Sequence, residues 1–168
     1  MLVTSAIVLT RKRCPSHRAR IADLMFEVKF QTYWGDADSA RIVFFPHFFR
    51  FVEQAEEELF RAAGKNRQEL FEQNQVWMPR VQAYSKFFKP IRAGDAIRVR
   101  LNPQFKGEKT VRYEFEIVDD QSIEKLAEGY LVVVCVAAAN FKATPIPDPI
   151  RHILVGAMSK SSDHFSRG

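Results

Sequence analysis

Residues 44–51 read Phe-Phe-Pro-His-Phe-Phe-Arg-Phe and open the longest periodic segment of the chain, residues 46–63. Pro46 suits a first helical turn, because its missing N–H is not needed there and its φ is already helical. Phe45, Phe48, Phe49, Val52, Ala55 and Leu59 recur at spacings of three and four, so they form one apolar stripe of a helix. Phe44 and Phe51 fall outside that stripe, which makes the first half of the helix apolar nearly all round. Such a helix has to be covered from several sides. Its second half carries Glu56, Glu57, Glu58 and Arg61, read as a solvated face, and Gly64 suits the stop.

Strand-forming segments supply the cover. Phe26, Val28 and Phe30 alternate with Glu27, Lys29 and Gln31 before the helix. A short helix at 68–73 follows it, and then four long segments of strand composition: 76–88, 95–105, 110–118 and 125–138. The run 131–139 is apolar throughout, as for a central strand covered on both faces. After Pro145, Pro147 and Pro149 a short helix to Leu154 is expected, then a Ser-rich end. One strand, one long buried helix and four strands define an α+β class: a curled, five-stranded antiparallel sheet wrapped around a long central helix.

The 168 residues suit one domain. The expected organisation is a basic, disordered leader at 1–24, a folded domain at 25–155 and a flexible tail at 156–168. The net charge of +5 invites a nucleic-acid reading, but residues 1–22 hold five Arg and Lys and no acid. Without those five, 20 basic face 20 acidic residues, so the folded part is neutral and a nucleic-acid stripe is not expected. No stretch is apolar enough to span a membrane. Cys14 and Cys135 form no metal or disulfide framework, which suggests a reducing, cytoplasmic setting. Fifteen Phe against four Tyr and two Trp predict an apolar interior or pocket with few phenol or indole groups to satisfy.

The sequence has no G-x-S-x-G, P-loop, G-x-G-x-x-G or H-E-x-x-H, and its four histidines are scattered. No metal or other cofactor is expected. What remains is Gly35-Asp36-Ala37-Asp38, just ahead of the Phe-rich helix. Two readings stand. One aspartate closes the turn and the other is solvated, or a carboxylate beside the helix N-terminus serves acyl transfer. In the second, the terminal N–H groups polarise a carbonyl oxygen while the carboxylate attacks its carbon or activates water.

The stretch from Gly35 to Phe51 resembles the opening motif of 4-hydroxybenzoyl-CoA thioesterases, roughly G-D-x-D-x-x-G-I-V-[FYW]-[FY]-P-x-[FY]. The resemblance covers about 26–155 and implies a hot-dog fold and hydrolysis of an aromatic or short- to medium-chain acyl-CoA. By it, Asp38 is the nucleophile or general base, and the Phe45 backbone N–H binds the thioester oxygen. Glu53 falls where a carboxylate meets a ring hydroxyl, and Lys106, Lys109 and Thr110 fall where the nucleotide phosphates are gripped. Phe44, Phe48, Trp77 and Met78 are expected to line the acyl pocket. Three departures stand out: Arg41 replaces a usual Gly, Ser39 a common Pro, and His47 a frequent Asn. Arg41 is read either as a contact to CoA phosphates or as a partner that silences Asp38 in a non-catalytic acyl-CoA-binding module. His47 opens a further alternative, a hot-dog hydratase or dehydratase. The expected partners are an acyl-CoA substrate and further copies of the chain, as a dimer or tetramer with active sites at the subunit junction.

Overall fold

The computed structural model describes residues 25–159; the expectations for the leader and for residues 160–168 lie outside them. Strand β1 (Phe26–Gln31) leads through a 3-10 turn (Trp34–Asp36) to helix α1 (Phe45–Ala62). Helix α2 (Arg67–Gln73) and the short strand β2 (Val76–Trp77) follow. Next come β3 (Arg80–Phe87), β4 (Ala96–Phe105), β5 (Thr110–Asp119) and β6 (Lys125–Val134). The short strand β7 (Val136–Ala137) and helix α3 (Asp148–Ser159) complete the fold. The five long strands form one sheet in the order β1-β4-β5-β6-β3, every pair antiparallel, and β2 pairs with β7.

The expected curl is visible in what α1 touches. Phe51 meets Phe30 of edge strand β1 with ring centroids 5.8 Å apart, and Phe48 meets Phe87 of the opposite edge strand β3 at 4.7 Å. Phe49 meets Phe115 of the middle strand at 6.3 Å. A sheet that contacts one helix from both edges and its centre is wrapped around it. Ile97, Val99 and Leu101 of β4, with Val111, Tyr113 and Ile117 of β5, complete the core against Val52, Ala55, Leu59 and Phe60.

Four local expectations are corrected. Phe51 is buried, whereas Phe44 and Phe45 are 43% and 60% exposed, so the helix opens at its first turn instead of being covered there. Glu56 is 2% exposed: it sits between Arg67 and Arg80, whose charges compensate its removal from water. The single strand expected over 76–88 breaks at Met78-Pro79, where proline has no N–H to give a ladder. Likewise 125–138 divides at Cys135, whose N–H donates to Lys109 O (2.8 Å).

The run from Leu131 is also not covered on both faces. Leu131 and Val133 are buried while Val132 and Val134 are half-buried, because no layer among the described residues covers the outer side of β6. The last helix reaches past Leu154 to Ser159. Ile150 and Leu154 are fully buried where it packs against α1 and β4. No helix among the described residues is long and apolar enough to cross a membrane.

Truncating the ring that joins α1 to β1 tests this packing. Phe51→Ala is expected to lower the unfolding free energy by about 3–5 kcal/mol, read from denaturant titration.

Candidate active site

The segment between β1 and α1 is a chain of short-range bonds. Tyr33 enters the 3-10 turn, and its N–H donates back to the Asp36 carboxylate (2.8 Å). Beyond Asp36 the backbone forms a narrow loop: Ala37 bridges Val43, and Asp38 N–H donates to Ile42 O (2.9 Å). Arg41 N–H returns to Asp38 O (2.9 Å), and Val43 N–H ties the loop to Ile91 O (2.7 Å). Closing so tight a turn puts Arg41 at φ 61°, in the left-handed region where glycine is at ease. The side chain therefore did not force the loop into another shape; it stands in the conformation that a glycine would take. Arg41 is exposed and makes no ion pair with Asp38, whose Oδ1 instead accepts the Ala40 N–H (2.8 Å).

The two aspartates divide as the alternation of buried and open positions dictates. Asp36 is buried and paired with Arg50, and its carbonyl accepts from Phe44 N–H and from His47 Nδ1 (2.9 Å each). Asp38 is exposed and lines a cleft of ≈ 440 Å³. Five phenylalanines, Phe44, Phe45, Phe48, Phe87 and Phe88, line its wall. His47 is not one of its lining residues, so the histidine that a hydratase would use is turned to Asp36.

Helix α1 starts at the same cleft. Its N-cap, Phe44, offers no side-chain acceptor, and the first turn has no acidic residue. Of the terminal donors, Phe44 N–H goes to Asp36 O and His47 N–H to Phe44 O (2.8 Å), while Pro46 has none. The Phe45 N–H has no acceptor among the described residues. An open donor at the positive end of a helix, next to a carboxylate and walled by phenylalanines, can polarise a carbonyl while an oxygen nucleophile approaches it.

The other sequence candidates lie elsewhere in the chain. Glu53, half-exposed, pairs with Arg80 (3.4 Å) and Arg67 (3.5 Å). Met78 is buried in the core and Trp77 packs against it, so neither lines this cleft. Lys106 stands on the β4–β5 turn, Thr110 opens β5, and Lys109 Nζ donates to Ala143 O (3.3 Å). What the motif did not reveal is the far wall, residues 87–91. There Lys89 brings a cation to the rim, paired with Glu124 at 2.5 Å. Its signal was the Lys-Phe-Phe-Lys-Pro run closing β3, visible in the sequence but carrying no chemistry until the fold folded it against Asp38.

A thioesterase-like superfamily model matches residues 32–154, three quarters of the chain. The chain belongs to the thioesterase-like superfamily. A 1,4-dihydroxy-2-naphthoyl-CoA hydrolase of Thermosynechococcus vestitus is 25% identical over 78% of this chain and 89% of its own length. Another, of Microcystis aeruginosa, is 27% identical over 73% and 87%. The crystal structure of a 1,4-dihydroxy-2-naphthoyl-CoA thioesterase from Synechocystis is 26% identical. It superposes with a TM-score of 0.74 over 78% of this chain and 96% of that one. The hot-dog architecture and the thioester-hydrolase class expected from the motif agree with these relatives. The resemblance to 4-hydroxybenzoyl-CoA thioesterases holds at the level of the superfamily; these relatives are named for a fused-ring thioester.

Position 41 of this superfamily member offers a test of the loop geometry. Left-handed backbone costs an L-residue about 1–2 kcal/mol, and the extra freedom of an unfolded glycine takes back about 0.5–1. Arg41→Gly should therefore raise the unfolding free energy by up to about 1.5 kcal/mol; a clear loss of stability in thermal unfolding would contradict the strain.

Proposed function

We propose that this chain hydrolyses an aromatic acyl-CoA, 1,4-dihydroxy-2-naphthoyl-CoA or a near relative, to the carboxylate and CoA. The observation that carries the reading is the shared cleft of Asp38 and the open Phe45 N–H. The thioester oxygen accepts from Phe45 N–H at the positive end of α1. Asp38 either adds to the carbonyl carbon or takes a proton from the water that does so. The C–S bond then breaks, the thiolate leaves with a proton, and water supplies the oxygen of the acid. Once the acyl group fills the cleft, it and the phenylalanine wall shield the thioester from water, and the electrostatics gain strength. A fused bicyclic ring suits that wall, and the names of the relatives support it over 4-hydroxybenzoyl.

In this reading the working unit is a dimer or a larger assembly. Edge strand β3 has a partner on one side only, β6, and exposes Val81, Tyr84 and Phe87. An eight-residue edge with apolar side chains is a ready template for the same edge of a second copy. Glu53, Lys106, Lys109 and Thr110, remote from the cleft within one protomer, are then assigned to acyl and CoA contacts across the junction.

Asp38→Asn is expected to fold normally while CoA release, followed by free-thiol detection, falls by about 10²–10⁴-fold. An unchanged rate overturns the role of Asp38. In a panel of acyl-CoAs, the dihydroxynaphthoyl thioester should show the highest kcat/KM; preference for a long straight chain overturns the substrate class. Sedimentation should find a dimer or tetramer, and Val81→Lys should shift it toward monomer with loss of activity. A monomeric, active parent rules out the shared site.

A further inference from the structure

We propose that Asp36, through its ion pair with Arg50, is a positioning residue for thioester hydrolysis, holding the Asp38 carboxylate and the Phe45 N–H at a fixed separation. The inference rests on the assignment of the cleft to that reaction. A carboxylate removed from water costs several kcal/mol unless its oxygens are paired, and here both are. Oδ2 accepts the Tyr33 N–H at 2.8 Å, and Oδ1 is bonded by the Arg50 guanidinium. The carbonyl of the same residue accepts Phe44 N–H and His47 Nδ1, each at 2.9 Å.

These partners are spread over the machinery. Tyr33 is the entrance to the turn, Phe44 immediately precedes the open donor, and His47 and Arg50 lie in the first two turns of α1. Asp36 itself stands two residues before Asp38. An aspartate that only capped its turn would stop at the Tyr33 N–H. This one joins the loop bearing the carboxylate to the helix bearing the donor, across 8–14 positions of sequence. A reacting geometry displaced by about 1 Å loses up to roughly 10²-fold in rate, so a tie of this kind acts on turnover more than on binding.

The test compares the full-length parent with Asp36→Asn, Arg50→Met and Arg50→Lys, using 1,4-dihydroxy-2-naphthoyl-CoA and the other acyl-CoAs that the parent turns over. Asp36→Asn and Arg50→Met should lower kcat by about 10–100-fold with KM held within about threefold, and Arg50→Lys should restore part of the loss. A role in folding alone would lower the melting temperature and the folded fraction but leave kcat per folded enzyme within twofold of the parent, and that result overturns the proposal. So does a loss confined to KM. Should Asp36→Asn fail to fold, the two Arg50 variants decide, each read as kcat per folded enzyme: the Arg50 side chain is 47% exposed, so Arg50→Met opens no core cavity, and Arg50→Lys keeps a cation beside the buried carboxylate. A parent that releases no CoA from any thioester overturns the proposed function; an active parent with fully active Asp36 and Arg50 variants overturns the positioning role alone.

Discussion

The burial of α1 in the hollow of the sheet is the constraint on which the rest of the molecule depends. A helix with phenylalanines on most sides of its first two turns cannot rest on a flat sheet without leaving part of that surface wet. Here the sheet reaches it from β1, β5 and β3 together, through Phe51, Phe49 and Phe48. The cover stops one turn short of the N-terminus. Phe44 and Phe45 stay open, and the cleft occupies the gap between that uncovered turn and the strand end at Phe87-Phe88. The same packing that stabilises the fold therefore leaves a helix N-terminus open beside an aromatic wall.

Away from the cleft, α1 is held by charge. Glu56 takes Arg67 from α2 and Arg80 from the start of β3, tying the second half of the helix to both elements. Burial raises the Tyr113 hydroxyl well above the usual phenol range, and the neighbouring Glu56 carboxylate adds to the effect, so both conspire to keep that tyrosine neutral in the core. The helix is thus fixed by rings toward its start and by an ion cluster toward its end, with the loop between β1 and α1 spanning from one aspartate to the next. Proline at 79, which ends the β2 pairing, brings Arg80 into that cluster at the point where the edge strand begins.

Much of this was legible in the residues. The spacing of Phe48, Val52, Ala55 and Leu59 gave the helix within a residue at each end, and alternation at Phe26–Gln31 gave a strand with the right face inward. Periodicity failed where tertiary partners decide. Glu56 looks like surface on any helical wheel, and only Arg67 and Arg80, 11 and 24 positions away, make its burial possible. Phe45 and Phe51 exchanged roles because the stripe says which residues share a face, not where along the helix the cover ends. At the site, local sequence was enough for Asp38 and the helix start, which adjoin each other in the chain. The Phe87–Lys89 wall was hidden because it arrives from a distant strand.

The proline at 46 has a consequence for what the helix can hold. Helix N-termini that bind phosphate or sulfate do so with several converging backbone donors. In this chain the donor before Phe45 is taken by Asp36, the one after it is absent, and the next is turned back on Phe44. A single N–H remains. That is too few donors for a tetrahedral oxyanion group of three or four equivalent oxygens, while the function proposed above asks this end of the helix for one donor to one carbonyl oxygen.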